Sequence, residues 1–526
     1  MKSRYLAVFF GLAMFMVQAS LAHGQLVDNS LAPNTAKAGI NKSLADEIGP
    51  GRGDLMTPNS SLFIINRDPF RSVRRGRQLF QRKFTRAQGQ GPNNSDGAGN
   101  INVTGGIGAG LADSCAGCHG RPRGSAGAGG DVATRPDSRD APHLFGLGLK
   151  EMLADEMTSD MRAIRAQAMA DAKKKGSAVT RQLLTKGVAF GSITANPDGS
   201  VDTSGVSGVN ADLRVRPFFA EGSTISIREF LVGAFRNEMG LMAADPDLLQ
   251  ASAGGRVVTP SGMVLDGSLD KIEAPPLSDN GADPDGDGIN NELPASLVDH
   301  EEFYLLHYFK PAVYQQTETT RKGRRLFEKI GCGSCHVADM LIEHDRRVAD
   351  METVYDSVRG NMNHLFATAT AFLHEVNDGS GFPSIKVPNG GPFLVKDIYT
   401  DFKRHDLGPN FYERNYDGTL QKQFLTRPLW GAGTTSPYGH DGRSINLHEV
   451  ILRHGGEALA SQTAYARLEQ EGQDAIQAFL NSLVLFPPDD TASTLDPGNR
   501  STTNFPQFGH GSIKLTVLFN DPTDPE

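Results

Sequence analysis

Apolar residues recur at helical spacing along much of the chain. The stretch Asp68–Phe84 (DPFRSVRRGRQLFQRKF) has that period and leads toward the first cysteine motif. Lys150–Lys175 reads as a long helix whose apolar stripe is Met152, Leu153, Met157, Met161, Ile164 and Met169. Methionines at that spacing fill a core rather than ligate a metal. Ser226–Met242 places Ile227, Phe230, Leu231, Ala234, Phe235 and Met239 on one side. Val298–Phe309, Thr317–Lys329, Leu447–His454 and Asp474–Leu483 are further helices. Between them Asn29–Ser60 and Ala251–Asn291 are broken by Gly, Pro and Asp, and Gly379–Asn410 is irregular with short strands.

At about 150 residues per domain, 526 residues predict two to four domains. The net charge of −9 argues against a nucleic-acid partner, which would select a basic face. Glycine is abundant, 59 residues, so long loops are expected. Met1–Ala22 has the form of a secretory signal: Lys2 and Arg4, the apolar run Tyr5–Val17, then Ser20-Leu21-Ala22. That run is shorter than the roughly 20 residues a bilayer span needs, so the mature chain is expected to be periplasmic and without a membrane span.

Export sharpens the meaning of the four cysteines, which in an oxidising compartment would ordinarily form disulfides. They fall instead as Cys115-Ala-Gly-Cys118-His119 and Cys332-Gly-Ser-Cys335-His336. C-x-x-C-H is the attachment motif of c-type haem: each cysteine bonds one vinyl group, and the histidine becomes the proximal iron ligand. Zinc would need ligands drawn from two distant pairs, outside its usual spacing. Two covalently bound haem c groups follow, with His119 and His336 on iron. Arg74-Gly76-Leu79-Phe80 before the first motif is echoed by Arg321-Gly323-Leu326-Phe327 before the second, so the repeat is of whole haem modules. The expected fold class is mainly α: two cytochrome-c-like haem domains with long irregular loops and an acidic Gly/Pro-rich insertion. The expected divisions are 1–22 signal peptide, 23–60 extended segment, 61–250 first haem domain, 251–297 insertion, 298–490 second haem domain and 491–526 polar tail.

With these motifs the chain resembles the di-haem cytochrome c peroxidase superfamily, and within it the branch of di-haem oxidoreductases, from about Asp68 to Pro487. Phe219-Ala-Glu-Gly222 through Glu238-Met239-Gly240, and Thr426-Arg-Pro-Leu-Trp430 through Tyr438-Gly-His440-Asp-Gly442, strengthen the likeness. In the family a methionine ligates the electron-transfer haem at a set interval after the turn histidine. The same interval from His440 lands on His454, which implies a bis-His second haem of lower potential. His405 is the rival ligand, and His440 shapes the turn or meets a propionate. At the first haem the resemblance assigns the acid/base role to Glu238, with Glu221-Gly222 as the preceding turn. The distal histidine that closes this haem in several members would fall near Arg135, and none lies from Gly120 to Pro142. The first haem is therefore expected to be open unless His143 closes it. Phe218, Phe219 and Ala220 stand where the family carries a tryptophan between its haems.

The resemblance also implies calcium at the domain junction, through Asp140, Thr435 and Pro437. A second calcium candidate is Asp283, Asp285, Asp287 and Glu292, an alternating acidic loop that copies the first half of an EF-hand. The function implied is a peroxidase-like oxidoreductase that passes electrons from a bis-His haem to an open haem. Its partners would be a small redox protein or quinol-linked donor and peroxide or another small oxidant. The alternatives are an electron-transfer cytochrome without substrate chemistry, and an oxygenase or protein-oxidising relative using the same open haem.

Overall fold

A computed structural model describes residues 44–90, 112–120, 126, 129, 131–132, 139–276, 283, 288, 292–308, 313, 316–350, 370–415 and 417–485. Helices carry the frame. Pro69–Gln81 begins behind Asp68, whose carboxylate accepts from Arg71 N, with Pro69 at the first helical position, where its missing N–H costs nothing. Glu318–Lys329 starts with a reciprocal cap: Thr317 and Thr320 hydroxyls each accept from the other's backbone N–H, at 3.2 and 2.8 Å. Leu147–Lys175 is the long helix, and its methionines Met152, Met157 and Met161 are buried in a core shared with Leu183, Phe190 and Ile193. Among the described residues no helix is long and apolar enough to cross a membrane.

The expectation of a mainly α protein is corrected by the loops. Among the described residues seventeen short strands form eight small sheets, seven of them two-stranded. Val179–Thr185, Val188–Ala195 and Val201–Asp202 make an antiparallel sheet on the long helix. Arg256–Val258 pairs with Val264–Asp266 inside the expected insertion. The second half adds Met340–Ile342 with Phe393–Val395, Leu373–Val376 with Ile385–Pro388, and Arg404–Asp406 with Gln423–Leu425. These hairpins close at Gly, Asn and Asp turns, so stretches rich in turn residues became strands in short pairs.

The sequence echo has a mechanical meaning. Gly76, in Pro69–Gln81, crosses the helix Ala295–His307 so closely that a Cβ on it would lie 2.2 Å from the His300 carbonyl oxygen. Gly323, in Glu318–Lys329, crosses Gln470–Asn481, and a Cβ there would lie 1.8 Å from the Ala475 carbonyl oxygen. Each half thus pairs the helix preceding its C-x-x-C-H motif with a later helix, glycine at the contact. Leu79 and Phe80 on one side, and Phe327 on the other, fill the core beside it.

Ala295–His307 is buried from Ser296 to His307 although it carries Asp299, His300, Glu301 and Glu302. Partners offset much of that cost. Asp299 accepts from Ser61 Oγ at 2.6 Å, and His300 Nδ1 meets Ser72 Oγ at 2.8 Å. Arg228 bridges Asp245, Asp299 and Glu302 at 2.7–3.0 Å. The two halves interlock, since Val348, Ala349 and Leu485 belong to the core built by the first.

Backbone oxygens at the crossings leave no room for a methyl group. Gly76→Ala and Gly323→Ala should each lower unfolding free energy by about 1–3 kcal/mol in denaturant titrations. Gly391→Ala, which meets nothing within 4 Å, should stay within about 0.5 kcal/mol of wild type. Equal effects at all three positions would contradict the role given to the crossings.

Candidate functional site

The two C-x-x-C-H motifs open onto one cavity. The first sits on the short helix Cys115–His119, where Ser114 Oγ accepts from Gly117 N at 3.1 Å. The second lies on the tight turn Cys332–Ser334, and His336 N donates to the Cys332 carbonyl at 3.0 Å. A cavity of about 790 Å³ is lined by Cys118 and His119 from one motif and by Cys332, Cys335 and His336 from the other. His454, Glu238, Asp140, Thr435 and Pro437 also line it. Sites that the sequence separates by more than two hundred residues therefore share one cavity.

Both motif histidines are held by backbone carbonyls: His119 Nδ1 donates to Pro142 O at 2.7 Å and His336 Nδ1 to Tyr399 O at 3.0 Å. Such bonds fix the ring and the tautomer, making Nε2 the nitrogen that carries the lone pair. Burial pushes the His336 imidazolium down to about 4, so the ring is neutral at pH 7. His454 ends the helix Leu447–Arg453, and its Nδ1 donates to Val450 O at 2.7 Å. Its imidazolium too is disfavoured by burial, and it acts electrostatically on His336 across the shared space.

His405 is arranged oppositely. Nδ1 donates to Glu457 at 2.7 Å and Nε2 to Asp401 at 2.9 Å. Burial opposes the charge, but bonds to Asp401, Cys335 and Glu457 outweigh it and raise the ring to about 11. An imidazolium with both nitrogens spent on carboxylates has no lone pair for iron. Cys335, Asp401 and His405 bring ligand atoms within 4.8 Å of one another, one ligand short of a closed zinc site. His440 stacks on Phe424 with centroids 3.9 Å apart, and its carbonyl accepts from Asp140 N at 3.0 Å. Its carbonyl ties the turn to the Arg139–Asp140 segment.

At the first motif, the helix Ile227–Ala234 runs into one π-helical turn, Phe235–Met239, rather than continuing as α-helix to Met242. A wider turn redirects side chains and is a common device at functional sites. Glu238 sits on it, and its carboxylate together with Asp113 helps burial push the Cys118 thiol upward. Phe218 and Phe219 pack on Phe230 at 5.9 and 5.3 Å and form the adjoining wall. His143 follows the carbonyl that holds His119, and its own Nε2 donates to Trp430 O at 2.8 Å. That places His143 beside His119, where burial lowers it to about 3.

Arg135, Asp285 and Asp287 lie outside the described residues. Asp283 accepts from Gly288 N at 3.1 Å, whereas Glu292 is buried and accepts from Met242 N at 2.7 Å. Thr435 donates to Gly431 O at 2.9 Å, which leaves its oxygen lone pairs available. Three cavity residues escaped the sequence reading. Trp430 is buried against Gly146 and lines the space between the motifs rather than standing apart in the second half. Arg427 lay within the quoted Thr426–Trp430 stretch. Lys150 was legible only as a lone cation among Leu147, Leu149, Met152 and Leu153.

One cavity is shared by the two C-x-x-C-H motifs, each of which follows its own glycine-mediated helix crossing in the chain. Residues 394–483 match the family model described as "Di-haem oxidoreductase, putative peroxidase", which supports the di-haem peroxidase-type family recognised in the sequence. No curated protein matches the chain.

The His405 arrangement has a pH signature. Its stabilising contribution is full below about 6.5, the free-imidazole value, and fades as pH rises until it is gone above about 11. Wild type should therefore lose stability between pH 7 and 10 relative to His405→Gln in parallel urea titrations. Parallel pH profiles for the two proteins would contradict the charged, doubly held imidazole.

Proposed function

We propose that this protein is a periplasmic di-haem c-type oxidoreductase of peroxidase type. Cys115, Cys118 and His119 would hold the first haem, and Cys332, Cys335, His336 and His454 the second. The observation that carries this is the single cavity lined by both motifs, with Glu238 on its wall at the first and His454 at the second. The residues fit haem chemically: His119 and His336 are locked with Nε2 as the ligand nitrogen, His336 is a neutral ring, and Cys118, Cys332 and Cys335 line the same space.

When bound, the haems supply redox iron that reduces peroxide at one centre and receives electrons at the other. The chain supplies the proton chemistry and the exclusion of water. Glu238 takes a proton from one peroxide oxygen and returns it to the leaving oxygen. Phe218, Phe219 and Phe230 wall that region and keep bulk water out. Pro142 O and Tyr399 O orient His119 and His336 and make them more basic ligands. His143 is tied to Trp430 O and would not close the first haem against peroxide. His454 would hold the second haem together with His336, a ligand pair that gives a lower potential than histidine with methionine. The electron donor would be a small redox protein or a quinol-linked carrier. Asp140 and Thr435 offer hard oxygen ligands where the halves meet, with the Pro437 segment alongside, and would suit calcium.

Two variants test this. Glu238→Gln keeps size and hydrogen bonding but cannot shuttle the proton, so peroxide turnover should fall by about 10² or more with both haem spectra retained. Wild-type turnover in that variant would remove Glu238 from the mechanism. His454→Met should raise the midpoint potential of the second haem and add a sulfur-to-iron charge-transfer band. An unchanged potential in that variant would remove His454 from the iron.

A further inference from the structure

The long helix Leu147–Lys175 begins with a charge of the unfavourable sign. Its first turn holds Lys150 and no acidic residue, and its N-cap is Gly146, which offers no side-chain cap. The unpaired amides and the helix dipole already make this end positive. Lys150 lines the cavity. Among the described residues it meets the face of Phe218, with Nζ 5.3 Å from the ring centroid, and no carboxylate. Burial, with Arg427 adding repulsion, pushes its ammonium down to about 7.

Arg427 repeats the pattern from the other half. It lines the same cavity, and no described group hydrogen-bonds to its guanidinium. Asp140 and Glu221 act on it electrostatically without bonding, because Arg139 takes Glu221 at 3.3 Å and Glu413 at 2.6 Å. Burial and the neighbouring Arg139 lower it to about 10. His143, which feels both cations and His119, is neutral and already tied to Trp430. Two cations and a helix N-terminus therefore converge on one cavity with no described anion bonded to either cation. Buried charge is retained when an opposite charge joins it.

We propose that Lys150 and Arg427 form the anion site of this cavity and bind the propionate carboxylates of the haems. The proposal rests on the two-haem reading of the site. Each haem brings two propionates, which would be as costly to bury alone as the cations are. Lys150 and the amides of the first helical turn suit one carboxylate. The planar guanidinium of Arg427 suits a second, with two parallel N–H donors. Because Lys150 belongs to the first half and Arg427 to the second, the same carboxylates would tie the two halves across the cavity.

The test uses purified holoprotein and resonance Raman spectroscopy of the propionate bending bands, which respond to hydrogen bonding at the carboxylates. Lys150→Met and Arg427→Met should each shift a propionate band and lower the thermal midpoint. Spectra taken at intermediate potential, with one haem reduced, identify which haem supplies the carboxylate. Unmoved bands with an unchanged or raised midpoint, as expected on deleting an unpaired buried cation, would overturn the proposal. Lys150→Arg and Arg427→Lys keep the charge and exchange a single ammonium for a fork of donors or the reverse. Each should still move its band, and unmoved bands in both would overturn the proposal even if the methionine variants fail to accumulate. A pyridine haemochrome assay on the same samples separates the two levels. Fewer than two haems per wild-type chain would overturn the two-haem reading, whereas two haems with unmoved bands would overturn the propionate assignment alone.

Discussion

The close approach of two helix pairs, each made possible by one glycine, is the constraint on which the arrangement depends. Gly76 and Gly323 let backbone meet backbone at distances that any side chain would forbid. The cysteine pairs follow these helices along the chain, so the crossings fix where each motif meets the common cavity. Packing then follows the same logic on both sides, with Phe80 and Tyr304 in edge contact at 5.9 Å and Phe327 and Phe479 at 5.5 Å. Helix propensity alone would not place these elements; tertiary contact does.

Around this frame the polar groups divide by task. His336 and His454 are kept neutral by burial, each with one nitrogen committed to a backbone carbonyl, which is the condition for a metal-ligating imidazole. His405 is charged, with both nitrogens on carboxylates, and belongs to the scaffold. The same division separates the arginines. Arg139 and Arg228 are satisfied by carboxylates and hold elements together, while Arg427 looks into the cavity. Burial thus sets protonation state at the site, and local partners decide which groups escape its effect.

Much of this was legible in the sequence, in a graded way. The C-x-x-C-H motifs, the long methionine-striped helix and the duplicated Arg-x-Gly-x-x-Leu-Phe pattern are local signals, and local chemistry fixed them. Apart from the short strands expected in Gly379–Asn410, the strands were not legible. Leu373–Val376 and Val179–Thr185 are largely exposed hairpin strands without a clean apolar alternation, so no period marked them. The π-helical turn at Phe235–Met239 has a helix's composition, and only the i→i+5 bond from Gly240 N to Phe235 O sets it apart. The setting of Trp430, Lys150 and Arg427 depends on how distant segments meet. A cation at the mouth of a long helix is anomalous in sequence, yet it acquires meaning only beside the cavity.

The central claim is the proposal that one chain would hold two unlike haems at a common cavity, one ligated by His336 and His454 and one by His119 alone. Low-temperature EPR of the fully oxidised protein tests it most directly, because spin state reports axial ligation. The account predicts equal amounts of a high-spin and a low-spin ferric signal in each chain. Two low-spin signals would contradict the open site, and a single haem signal per chain would contradict the architecture itself.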